Sequence, residues 1–463
     1  MKKLLTVSIL AALASSQAHA VRSGSDVAES DYRDYIVRFE AADTTGNTST
    51  CGGLLVAGEY IVTAAHCVAD YSHNGTNAEY QWWTDNGADN SISIYQGVNF
   101  NADKKTDTTY QVVNFLDLDE TETAANNEAY AVQASKPAVD WNFDNNRRGA
   151  TWSHGAFHYD IALIKLGKKI SQTSHAAMLP SYDAATGNWN VQGEDTFIFR
   201  GWGKDETGQT PANMQQTELV YTSVHPTWIG FAAYIPNMPR TTSNNQACTG
   251  APLETCVYGQ IDFNLLFPTT VGGTPSTGDS GTPIEIAPNQ VYALAKAEHL
   301  SNAPEWVQFT HYSWYLESMA QHINKVVAPS SMEFEFTEGK SETSTQKFAI
   351  QNLTAFNETV NLYVTGGGNV FEVSGCDTTL EPLQSCEATV TIKGAAQPAN
   401  ATLFIGDSND ASVALSYTAT ETDGSGESGT EPPTAGGSGG SGSIGFFGLL
   451  AMMSFVQIRR AKR

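Results

Sequence analysis

Positive charge is scarce in this chain. Lys and Arg number 25 against 49 Asp and Glu, for a net charge of -24. A surface of this kind has little with which to neutralise phosphates, which excludes a nucleic-acid partner and describes a soluble protein kept dispersed by its own charge. Cysteine is also sparse: there are six, none in a Cys-x-x-Cys pair, so no metal site of that type and no cofactor is expected. No apolar run reaches the roughly 20 residues of an ordinary membrane-spanning helix. Glycine and small polar residues, by contrast, are abundant, which favours β-structure with many turns over a helical bundle. At 463 residues the chain is too long for one core, and two or more domains with tails are expected.

The N-terminus reads as an export signal. Lys2 and Lys3 precede an apolar run from Leu4 to Ala14, and Ala18-His19-Ala20 supplies the small-residue cleavage site of a Sec signal peptide over residues 1–20. Export places the cysteines in an oxidising compartment, where an even count points to disulfides. They lie as three sequence-close pairs: Cys51 with Cys67, Cys248 with Cys256, and Cys376 with Cys386.

From 21 to 328 the chain holds short β-rich runs between Gly, Asn, Asp and Pro, such as Tyr35-Ile36-Val37-Arg38-Phe39 and Tyr60-Ile61-Val62-Thr63. Residues 71–155 are polar and read as long loops with a few strands, and helical periodicity appears only near 315–327. Residues 331–420 alternate apolar and polar, the pattern of a small β-sandwich. The passage from Phe371 to Cys386 resembles the immunoglobulin-like modules appended to bacterial surface proteins, in which Cys376 and Cys386 would staple a hairpin. A Gly/Ser-rich linker follows over 421–443, then an apolar run expected as a short hydrophobic helix and a basic end, Arg459-Arg460-Ala461-Lys462-Arg463, within 444–463. Together these resemble the GlyGly-CTERM sorting tail. That resemblance implies type II secretion, removal of the tail by a rhomboid-type protease, and a destination outside the cell or on its surface after a transient membrane-anchored stage.

Three separated runs carry the chemistry. Cys51-Gly52-Gly53-Leu54-Leu55 with Ile61-Val62-Thr63-Ala64-Ala65-His66-Cys67 resembles the catalytic-histidine signature of the chymotrypsin/trypsin family. His158-Tyr159-Asp160-Ile161-Ala162-Leu163 resembles its buried aspartate before an apolar strand, and Gly278-Asp279-Ser280-Gly281-Thr282-Pro283 its nucleophile loop. Serine chemistry needs a base, a carboxylate to orient that base, and donors for the oxyanion. The resemblance therefore implies a catalytic triad of His66, Asp160 and Ser280, with the N–H groups of Gly278 and Ser280 as oxyanion hole. It implies an all-β fold of two six-stranded antiparallel barrels followed by the sandwich, and protein or peptide substrates. It further implies that signal cleavage exposes Val21, whose ammonium pairs with Asp279. Arg200-Gly201-Trp202-Gly203 and the Cys248–Cys256 loop fit the same family.

The substrate pocket departs from the pattern. Ser276 stands where the family has a cysteine, and Thr274 occupies the pocket floor in place of an aspartate that selects Arg or Lys. The strand Val291 to Glu298 lacks the family's Ser-Trp-Gly, with Glu298 a candidate pocket carboxylate. A small or apolar side chain before the scissile bond is expected. The alternative reading is a catalytically silent homologue that acts in adhesion through its β-sandwich.

Overall fold

The computed structural model describes residues 21–420 except 23, 44, 74–77, 84–89, 101–103, 114–151, 154–155, 158–159, 184–187, 192–193, 206, 222–240, 243–255, 258–263, 269–272, 300–305, 314, 338–343, 393–397 and 407–410. The described residues belong to one compact unit. The expected signal peptide, the linker, and the sorting tail with its hydrophobic helix all lie outside the described residues. Among the described residues no helix is long and apolar enough to cross a membrane.

The first barrel is built from β1 (Ile36–Ala42), β2 (Thr48–Val56), β3 (Tyr60–Thr63), β4 (Asn90–Gln96), β5 (Lys104–Val113) and β6 (Ala162–Leu166). They close in the order β6-β3-β2-β1-β4-β5, with β5 returning to β6. Strand β4 shows why: Asn90, Ile92, Ile94 and Gln96 face inward, alternating with more exposed residues. In β1 even Arg38 is buried, its guanidinium lying 3.8 Å from the ring centres of both Tyr95 and Phe100 and paired with Glu40. Two barrel strands, β4 and β5, therefore come from the polar stretch expected to hold mainly loops.

The second half uses β7 (Thr196–Gly201), β8 (Gln215–Val220), β9 (Asn264–Pro268), β10 (Pro283–Ala287), β11 (Gln290–His299) and β12 (Trp306–His311). Their order is β8-β7-β10-β11-β12-β9, extended by the short strands Ser25–Asp26 and Ala177–Met178. The sheet curls until β8 and β9 touch, which brings six strands around one core of Phe197, Phe199, Ile284, Phe309 and their neighbours. These six strands are the second of the two expected barrels, with no ladder pairing between β8 and β9 among the described residues.

Helix α1 (Leu316–Ile323) buries Leu316, Met319, Ala320 and Ile323. It stops short of the expected 327 because Asn324 turns left-handed, φ 46°, and gives its N–H to Ala320. The next residues instead form β13 (Lys325–Val327). Strands β14 (Ser331–Thr337), β15 (Ser344–Leu353), β16 (Leu362–Gly366), β17 (Phe371–Gly375), β18 (Ser385–Ile392), β19 (Ala399–Ile405) and β20 (Ser412–Thr420) follow. They form two four-stranded sheets, β13-β15-β18-β17 and β14-β20-β19-β16, that share one apolar core. The Cys376–Cys386 disulfide joins the residue just after β17 to β18, the strand that pairs with β17.

Candidate active site

The register of the first barrel brings its two candidate residues together. β6 runs antiparallel to β3 with Ala162 opposite Thr63. The chain just before β6, at Asp160, therefore lies beside the chain just after β3, a 3-10 turn over Ala65–Cys67. The Cys51–Cys67 disulfide ties that turn to β2. Asp160 is 1% exposed and His66 33%. His66 Nδ1 lies 2.9 Å from Asp160 Oδ2 and 3.1 Å from Oδ1, and the His66 backbone N–H donates to Oδ1 at 3.1 Å.

The electrostatics follow from this geometry. For His66, burial pulls the pKa down, but the charge and hydrogen bond of Asp160 outweigh it and leave the imidazole above its ordinary value. For Asp160, burial pushes up, while His66 and then Lys296 hold the carboxylate below its ordinary value. Asp160 therefore stays ionised and fixes the proton on Nδ1, leaving Nε2 as the basic nitrogen.

The loop bearing Ser280 leads into β10 and is seated against the first barrel. Gly52 N–H on β2 donates to the Ser280 carbonyl at 2.8 Å. Gly281 makes the approach possible: its φ is +81°, and a Cβ there would lie 2.0 Å from Thr63 Oγ1 and 2.5 Å from the Gly52 carbonyl. Gly278 also has positive φ, +103°. Among the described residues neither the Gly278 nor the Ser280 N–H donates a hydrogen bond, and no hydrogen bond yet joins Ser280 Oγ to His66. Asp279, 1% exposed, accepts from Gly203 N–H at 2.7 Å and Ser276 N–H at 2.9 Å, its carboxylate fitted against Gly201 and Gly203.

Val21 is fully buried in the second core. Arg22 next to it forms an antiparallel bridge with Thr274, at 3.1 and 2.9 Å. Thr274 is accordingly buried behind a cleft of about 170 Å³ lined by Pro275, Ser276, Thr277, Ser280, Lys296 and Gln308, among others, and is not itself on the lining. Glu298 lies further along β11, opposite Val307; its side chain, like the Cys248–Cys256 pair, is outside the described residues. Lys296, to which we assigned no part from the sequence, does line the cleft. Its signal was available as a lone cation between alanines in an apolar strand. Cys51, His66 and Cys67 bring potential metal-binding atoms together, but the two sulfurs are bonded to each other and offer no thiolate.

A base held by a carboxylate, a serine on a positive-φ loop and two open backbone N–H groups form a set suited to acyl transfer. The closed first barrel is that of the chymotrypsin fold. Residues 23–120, a stretch that includes His66, match the Trypsin family model. Limulus clotting factor C of Carcinoscorpius rotundicauda is 24% identical over 237 residues, 51% of this chain, which spans 18% of that protein's length. Among solved structures, the secreted serine protease VesC from Vibrio cholerae aligns over 86% of this chain and 71% of its own, at 13% identity and TM-score 0.35. The VesB protease of the same organism aligns over 86% and 99%, at 15% identity and TM-score 0.34.

Proposed function

We propose that the protein is an exported serine endopeptidase that cleaves proteins or peptides through an acyl-enzyme. The observation that carries this reading is the His66–Asp160 pair meeting the Gly278–Ser280 loop across the Gly52–Ser280 hydrogen bond. Ser280 Oγ attacks the peptide carbonyl and gives its proton to His66 Nε2. The oxyanion is received by the N–H groups of Gly278 and Ser280. His66 then passes the proton to the leaving amine, and water, activated the same way, clears the acyl group. A fluorophosphonate probe tests this: we expect labelling at neutral pH that disappears in Ser280→Ala. A folded protein that never labels would leave the adhesion reading in its place.

Export itself is part of the proposal. Cleavage after Ala20 frees the Val21 ammonium to pair with Asp279, a reading supported by the burial of both residues and by the Arg22–Thr274 bridge. N-terminal sequencing of active protein checks it, and any start other than Val21 defeats it. Type II secretion and removal of the tail within 444–463 by a rhomboid-type protease complete the route. Intact-mass measurement of the released protein should then show the hydrophobic run missing.

A further inference from the structure

One charged side chain at the cleft has no part in the mechanism above. Strand β11 departs from regular pairing with β12: Ala295 stands opposite Phe309 and Ala297 opposite Gln308, so Lys296 is an extra residue in a β-bulge. A bulge re-aims the side chain of its extra residue. Here the result is a lysine only 6% exposed that forms the cleft wall together with Ser280. On the facing strand, Val307 and Phe309 point into the core, which leaves Gln308 on the cleft side.

The carboxylates nearby are already engaged. Asp160 accepts from the His66 backbone N–H and ring, and Asp279 from Gly203 and Ser276. An ammonium has three N–H donors, so Lys296 can interact with Asp160 and still bind an entering anion. The Gln308 amide and the Thr277 hydroxyl add neutral donors, whereas the Ser276 hydroxyl is given to the Lys204 carbonyl.

We infer that Lys296 sets the substrate class: the cleft takes an acidic side chain, glutamate or aspartate, before the scissile bond. This rests on the peptidase reading, and it replaces the small or apolar preference expected from the sequence. Burial pulls the Lys296 pKa down to about 8, with Asp160 opposing that fall. The lysine is therefore cationic at neutral pH and loses its charge in mildly alkaline solution. Among the described residues, the titratable and charged groups around it are Asp160 before β6, His66 on the turn after β3, and Asp279 on the nucleophile loop.

The test is a set of peptides differing only in the residue before the cleaved bond (Glu, Gln, Leu or Lys), with active enzyme counted by fluorophosphonate labelling. We expect kcat/KM for Glu to exceed that for Gln by roughly tenfold or more, with the ratio shrinking above pH 8. In Lys296→Gln the Glu/Gln ratio should fall to near one, and Lys296→Glu should shift preference toward the Lys peptide. Labelling with no preference for Glu in the parent overturns the inference and leaves the peptidase reading intact. An equal loss on all four peptides in Lys296→Gln also overturns it, because Lys296 would then only position the triad. No labelling at all defeats the peptidase reading itself.

Discussion

A histidine that acts as a base near neutrality has to be held between two opposing influences, and His66 is. Burial favours its neutral form, while Asp160 favours the cation and prevails. The rising limb of kcat/KM against pH should therefore have its midpoint above 6.5, the ordinary value. In Asp160→Asn burial is left unopposed, so the midpoint should drop and kcat should fall on the order of 10⁴-fold; a pH–rate profile of both proteins checks this. His175 is fully buried; among the described residues neither ring nitrogen has a hydrogen-bond partner, and burial pushes its pKa down to about 3. Its folded pKa lies below the unfolded one, so its contribution to stability is complete above pH 6.5 and is lost as the pH falls toward 3. Urea titrations at pH 7 and pH 4 should show His175→Gln relieved of roughly 3 kcal/mol of acid destabilisation. At this scale the triad candidates could be read from the sequence because each lies in a distinctive local run. Lys296 stands out in the sequence only as a lone cation in an apolar strand; that it faces the cleft depends on a bulge defined by Phe309 and Gln308 of another strand.

At the scale of elements, the cleft depends on two barrels approaching to backbone distance. Gly281→Ala would put a Cβ into Thr63 Oγ1 and the Gly52 carbonyl at a positive φ. We expect a loss of at least about 2 kcal/mol in urea unfolding, together with slower fluorophosphonate labelling as the Ser280 loop is pushed off β2. Removing the Cys51–Cys67 bridge acts on the other side of the junction. With a sequence separation of 16, its loss should cost roughly 3 kcal/mol, which denaturation of Cys51→Ser/Cys67→Ser would register. Strands such as β1 and β3 were legible because they are rich in apolar, β-branched and aromatic residues, Ile36, Val37 and Phe39 in the one and Tyr60, Ile61 and Val62 in the other. The end of α1 was not, because periodicity continues past Ile323 and only the left-handed turn at Asn324 breaks it. Likewise, β4 and β5 carry too many polar residues to stand out from loops until the barrel gives them an inside.

At the scale of the molecule, the two-sheet region is bound into the barrels in a way that its period-two pattern gave no reason to expect. Gln351 of β15 inserts its amide beside the short strand Ala177–Met178. It accepts the Met178 N–H at 3.0 Å and donates to the Met178 carbonyl at 2.7 Å, as another strand's backbone would. Gln172 makes the corresponding links to Gly58 and Leu55, and its own backbone meets Ser330. Val327 and Leu353 belong to the same apolar core as Tyr60 and Trp202, and Lys325 joins Glu59. Unfolding the sheets alone would strip cover from the barrel core and leave the Met178 backbone unpaired. A chain of residues 21–420 should therefore melt calorimetrically in one transition. Gln351→Leu keeps the bulk but removes both hydrogen bonds to Met178 and a third to the Leu383 carbonyl, each unpaired buried group costing about 1–3 kcal/mol. We expect that variant to melt lower, with its sheet region releasing first, as limited proteolysis ahead of loss of fluorophosphonate labelling would register. Two separate transitions in the parent protein would show instead that the sheets and barrels fold independently and that these buried amides couple nothing.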